Sequence, residues 1–186
     1  AGDDMSALYA TKIQDASGVN GINNTQLKRL VAGKDLSLTQ SLVLYNESMS
    51  GKYGLKDCET FFQLLYLYHT APYFNKAAFN RLIKQEKTEY AKLLDDPNNY
   101  FNYQIVQLMD KGNQRRNRWP VKENLDQVDF SRAVDIYKSR FGSASEFTYV
   151  FVGNIDFETI KPLILTYIGG IPASKEKQGY AEQNFT

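Results

Sequence analysis

Metal and nucleophile chemistry in proteins rests on a short list of side chains, and this chain carries few of them. It has one histidine, His69, and one cysteine, Cys58. A lone histidine cannot supply a two-histidine metal site, and a lone cysteine makes neither an internal disulfide nor a thiolate cluster. His69 ends the apolar run "LLYLYHTAP", where a structural ring is expected. Cys58 precedes an apolar helical run, so packing rather than reactivity is expected. Ser41, Ser48, Ser50 and Ser143 stand in no GxSxG elbow or other nucleophile frame. Glu86 and Glu89 lie one turn apart on a long helix, with Asp95 and Asp96 beyond. Such carboxylates can share a metal, but no imidazole or thiolate lies near them in sequence. Lys84, Lys87 and Lys92 interleave with them, which predicts a solvated, ion-paired helix face.

Two further patterns suggest anion binding. "VFVGNIDFE" at 150–158 reads as strand, glycine turn and helix start. A phosphate loop needs several glycines so that backbone amides can approach the anion. Here there is one, and Asp156 and Glu158 stand where phosphate would sit; they satisfy the helix dipole and repel an anion. Arg115, Arg116, Arg118 and Trp119 could stack on single-stranded nucleic acid. In a chain of 22 basic and 21 acidic residues they are expected to form a solvated loop. A net charge of +1 gives no reason to expect a nucleic acid or membrane-surface partner. No apolar run approaches the ~20 residues of a spanning helix, so no membrane insertion is expected.

The elements that would position these residues are legible from periodicity. Asp3-Asp4 can cap a helix that ends at Gly18, and "NNTQLKRLVAG" is a second, with Asn24 as cap and Gly33 as stop. Leu36, Leu38, Gln40, Leu42 and Leu44 step by two, and a polar alternation runs from Tyr45 to Tyr53; these predict two antiparallel strands. Phe61, Leu64, Leu65 and Tyr68 predict a helix ended by Pro72. Asn75 caps a long helix bearing Phe79, Leu82, Ile83, Tyr90 and Leu94. Pro97 opens another that ends at Gly112, and "DFSRAVDIYKSRFG" is a shorter one. Phe147, Tyr149 and Phe151 predict a third strand before the last helix. The expected fold is α+β: two layers, with helices on one face of a mostly antiparallel sheet. Three strands is thin for 186 residues, so edge strands are expected beyond the termini. One domain over 1–174 and a polar tail over 175–186 are predicted.

The order of the segments resembles the pitrilysin/insulinase family of zinc metallopeptidases, the inverzincins. The likeness is carried by "LYLYHTAPYFNKAAFNRLIKQEKTEYAKLLDDPNNYF" and "VDFSRAVDIYKSRFGSASEFTYVFVGNIDFETIKPLILTYIGGIPAS", and it runs over roughly residues 5 to 174. The resemblance implies related α+β domains in two halves that enclose a peptide chamber. The active half of such a protein carries HxxEH on its first helix and an acidic ligand on a later one. The zinc activates a water and the motif's Glu is the general base.

This chain departs from that motif. With the closing glycine aligned, Tyr9 and Ile13 stand at the histidine positions and Lys12 at the general base, and the helix contains no His. Glu86 or Glu89 falls on the helix that matches the one with the acidic ligand. The resemblance therefore implies a non-catalytic domain, the first of the inactive C-terminal half. It implies no catalytic or metal-binding residue and no cofactor in this chain, with zinc held by the catalytic half of a longer parent. The family's substrate-contacting residues of that half lie in the next domain, so none is assigned here. The implied partners are the remaining domains of the same polypeptide and the parent's peptide substrates. An exported, periplasmic bacterial parent fits the resemblance. The alternative is a domain of a family member without a working zinc site, acting as a peptide-binding or assembly scaffold.

Overall fold

The computed structural model describes residues 2–43, 46–109 and 121–174. Helix α1 spans Gly2–Ser17. Asp3 and Asp4 lie inside its first turn rather than at a cap, because the helix starts one residue earlier than the sequence suggests. Gly18 follows at φ +116°, a left-handed turn that ends the helix. A two-residue hairpin, β1 (Gly18–Val19) and β2 (Ile22–Asn23), leads into α2 (Asn24–Leu30). The cap of α2 is Asn23, not Asn24: its side chain accepts from the Gln26 amide while Gln26 reaches back to the Asn23 amide.

The sheet is an antiparallel hairpin, β3 (Leu36–Leu42) with β4 (Glu47–Tyr53), in register from Leu36↔Tyr53 to Leu42↔Glu47. Leu44 and Tyr45, expected to extend these strands, lie outside the described residues. Helices α3 (Cys58–Thr70), α4 (Lys76–Leu94) and α5 (Pro97–Met109) follow as the apolar spacing predicts, α4 capped by Asn75. Gly112 and the arginine–tryptophan cluster at 115–119 lie outside the described residues, as does the tail 175–186. A short helix α6 (Lys122–Leu125) stands at the end of the polar stretch "NQRRNRWPVKEN", which the sequence suggests is a loop; Leu125, 1% exposed, anchors it. Asp129 caps α7 (Phe130–Phe141), and Asp156 caps α8 (Phe157–Leu163), which continues as a π-helical turn over Ile164–Ile168.

The fold is α+β, as expected, with one difference. Phe147 is extended, but residues 147–152 form neither helix nor strand and pair with no strand among the described residues. Their alternation is real: Phe147, Tyr149 and Phe151 turn inward, while Thr148, Val150 and Val152 are exposed. Alternation fixes which face is buried; a strand also needs a neighbour to bond, and none lies beside this segment among the described residues.

Three apolar clusters hold the elements. The largest joins Met5, Tyr9, Ala10 and Ile13 of α1 to Phe79 of α4, Leu125 of α6, and Ala133, Tyr137 and Phe141 of α7. Val19, Leu64 and Tyr68 tie α3 to the small hairpin and to β3. Phe61, Phe62 and Ile160 join α3 to α8, with Phe151 stacked 5.7 Å from Phe62.

Candidate functional site

Tyr9, Lys12 and Ile13 share α1 at positions i, i+3 and i+4, which one helix face brings together. Tyr9 and Ile13 are fully buried, part of the apolar stripe that fixes α1 on α4 and α7. Opposite Tyr9 the structure places Glu86 of α4. The Tyr9 hydroxyl donates to Glu86 Oε2 at 2.8 Å, and Lys12 Nζ donates to Oε1 at 3.1 Å. The Lys12 ammonium also sits 4.7 Å above the Tyr9 ring. Both carboxylate oxygens of Glu86 thus have a donor, and the side chain is only 13% exposed. Burial, and then the Glu86 carboxylate, push the Tyr9 pKa well above the ordinary tyrosine value.

This corrects the expectation that Glu86 belongs to a solvated face paired with its own helix's lysines. Lys87 instead bonds Asp126, and Glu89 accepts from Gln85. The sequence put Tyr9 and Lys12 on one helix, but contact with Glu86 is a tertiary event across 74 to 77 positions that no local pattern reports.

The donor set does not fit a zinc ion. A phenol held protonated and donating, an ammonium without a lone pair, and an isoleucine offer no ligand atoms. Glu86 alone could ligate, and its oxygens are already engaged. Among the described residues, no cluster of three or more His, Cys, Asp or Glu side chains could hold a metal ion.

His69 lies elsewhere, buried between α3 and the chain after α7. Its Nδ1 is 2.5 Å from the Phe141 carbonyl oxygen, so Nδ1 carries the proton. Nε2 is 3.4 Å from the Tyr149 hydroxyl, and Phe147 meets the ring edge-on at 5.2 Å. Burial lowers the His69 pKa, partly opposed by the Phe141 carbonyl. Burial pushes the Tyr149 pKa up to about 12. The histidine is thus a fastener for 147–149, the structural ring the sequence suggests.

Cys58 is half-buried, and burial raises its thiol pKa, which disfavours the reactive thiolate. It lines a groove of about 820 Å³ bounded by β4 on one side and 146–156 on the other. Phe61, Leu65 and Ile160 form the floor. Sequence periodicity carries no sign of this groove, because it is a gap between elements.

No protein-family model matches the chain. Its sequence is 34% identical over 120 residues to the "Zinc protease PQQL-like" of Arabidopsis thaliana, covering 63% of this chain and 12% of that protein. Its fold matches the periplasmic protease PqqL from Escherichia coli with a TM-score of 0.72 at 21% identity, over 96% of this chain and 20% of PqqL. It equally matches the ferredoxin protease FusC, solved as a point mutant in complex with Arabidopsis ferredoxin, with a TM-score of 0.72 at 15% identity. That superposition covers 96% of this chain and 19% of FusC. The chain therefore spans between an eighth and a fifth of the proteins it resembles. The likeness to pitrilysin/insulinase-like zinc proteases holds in sequence over 120 residues and in fold over nearly the whole chain.

Proposed function

We propose that residues 1–174 form one non-catalytic structural domain of a zinc-dependent peptidase, followed by the polar segment 175–186. Its role is to form part of the wall of a peptide-enclosing chamber and to pack on the catalytic half of the same polypeptide. The observation that carries this reading is the contact of Tyr9 and Lys12 with Glu86. In an active domain of this type the first helix and a later carboxylate face each other across a metal. In this reading α1 and α4 are those two helices, and a lysine ammonium supplies the positive charge a metal would have supplied.

Packing on another domain is supported by α5. It buries no residue among those described, and Phe101, Ile105 and Leu108, spaced i, i+4 and i+7, are 63%, 38% and 69% exposed. An apolar stripe at that spacing is what a helix offers to a partner surface. Peptide or protein substrates, zinc in the catalytic half and an exported parent belong to the same proposal. PqqL is a periplasmic protease and FusC was solved with ferredoxin, and no helix among the described residues is long and apolar enough to cross a membrane.

The test is peptide cleavage by the purified chain, using a mixed fluorogenic peptide set with added zinc. No cleavage above buffer is expected. Turnover that chelator abolishes and zinc restores would overturn the proposal.

A further inference from the structure

Asn20 and Gly21 form the tip between β1 and β2, and they are the only Asn-Gly pair in the chain. Every other asparagine precedes a residue with a side chain, which crowds the amide nitrogen that follows it. Both tip residues are exposed, at φ +50° and φ +74°. Such a left-handed conformation costs any residue with a Cβ, asparagine less than most. The space beside Gly21 is open: a Cβ there would meet nothing within 4 Å. Neither the Asn20 side-chain amide nor the Gly21 N–H has a hydrogen-bond partner among the described residues. The two flanks of the tip differ. On the β1 side the Asn20 N–H donates to the Ala71 carbonyl at 2.8 Å, the Tyr73 N–H donates to the Gly18 carbonyl at 3.3 Å, and Val19 is fully buried. β2 is paired with β1 over two positions only, and so short a hairpin opens at little cost. The Gly21 side can therefore rotate while the Asn20 side stays in place.

We infer that Asn20 is a site of spontaneous deamidation, and that its product loosens the junction between α1 and the α3–α4 connection. The Gly21 amide nitrogen attacks the Asn20 side-chain carbonyl carbon. The N–Cγ bond forms, the Cγ–Nδ2 bond breaks, and ammonia leaves with the proton of the Gly21 N–H. Water then adds to the resulting cyclic imide. Opening at the side-chain carbonyl gives aspartate. Opening at the main-chain carbonyl gives isoaspartate, in which the chain runs on through the former side-chain carbon. That product adds one carbon to the main chain inside a two-residue turn. Turn length sets the register of a hairpin, so the pairs Gly18↔Asn23 and Val19↔Ile22 cannot both be kept. The bonds from Asn20 and Tyr73 lie on the same flank and are strained with them. The inference goes beyond the non-catalytic reading and does not depend on it, because an active domain with this turn would react in the same way.

The test is incubation of the folded chain in mildly alkaline buffer, followed by peptide mapping with mass spectrometry. The peptide carrying Asn20 should gain one mass unit ahead of every other asparagine-bearing peptide, and faster as hydroxide rises. An isoaspartyl methyltransferase, used as a probe, should label part of that product. Asn20→Gly keeps a residue suited to the left-handed turn and should abolish both signals. In the modified fraction the Tyr73 amide should exchange hydrogen at least about tenfold faster, with α7 still protected, which separates a loosened turn from misfolding. An earlier mass gain at another asparagine, or reaction at Asn20 only in the urea-unfolded chain, would overturn the assignment of the site. A mass gain with no isoaspartate would overturn the cyclic-imide route. Unchanged exchange at Tyr73 in the isoaspartate form would overturn the loosening.

Discussion

Lys12 and Glu86 meet from two helices 74 positions apart, and substitution of either should change stability. Lys12 is 45% exposed, so Lys12→Ala should cost no more than about 1 kcal/mol in urea unfolding. Glu86→Ala leaves the hydroxyl of the buried Tyr9 without its acceptor, and should cost more, about 1–3 kcal/mol. An equal effect of the two substitutions would show that the pair, not the phenol, dominates. His69 gives a pH signature. Its folded pKa lies below the ordinary value of 6.5, so the unfolded chain binds a proton first as pH falls. Its contribution is therefore fully present above about pH 6.5 and is lost as pH falls toward the lower folded value. Urea unfolding at a series of pH values should show this decline, and His69→Gln should flatten it in that window.

At the scale of elements, Gly18 carries the sharpest prediction. It holds φ +116°, and a Cβ there would stand 2.0 Å from the Ile22 carbonyl oxygen. Gly18→Ala should therefore destabilise by at least about 2 kcal/mol, through backbone strain and a forced shift of the β1–β2 hairpin. A loss below half that, measured by urea unfolding, would mean the turn can relax. Most helices are legible in the sequence, because their apolar residues recur at helical spacing and their caps are explicit: Asn75, Asp129 and Asp156 each accept from an amide of the first turn. Helix α6 is not legible, since four residues carry no periodicity and Leu125 alone anchors it. The segment 147–152 is legible as an alternation but not as an unpaired one, because pairing depends on a neighbour that its own residues do not encode. The misplaced cap at Asn24 has a simple cause. Asn23 and Asn24 are adjacent and both suited to capping, and the Gln26 reciprocal bond decides between them.

At the scale of the molecule, the likeness to zinc proteases is legible in segment order, while the Glu86 contact is not. The former is written in local spacing and the latter in the packing of α1 on α4. The apolar face of α5 belongs to this scale too. Phe101→Ser and Leu108→Ser should shift unfolding by no more than about 0.5 kcal/mol, since neither side chain is buried in the chain itself. They should reduce dye binding to exposed apolar surface, and in the complete polypeptide they should weaken packing between domains. In the proposed reading, the contact of Lys12 with Glu86 stands where an active domain of this type would hold a metal. Equilibrium dialysis of zinc against the purified chain, its Lys12→Ala variant and its Glu86→Ala variant tests that reading. Far less than one zinc per chain is expected for all three, since freeing Glu86 supplies at most one ligand. One tightly held zinc per wild-type chain, lost in Glu86→Ala, would contradict it.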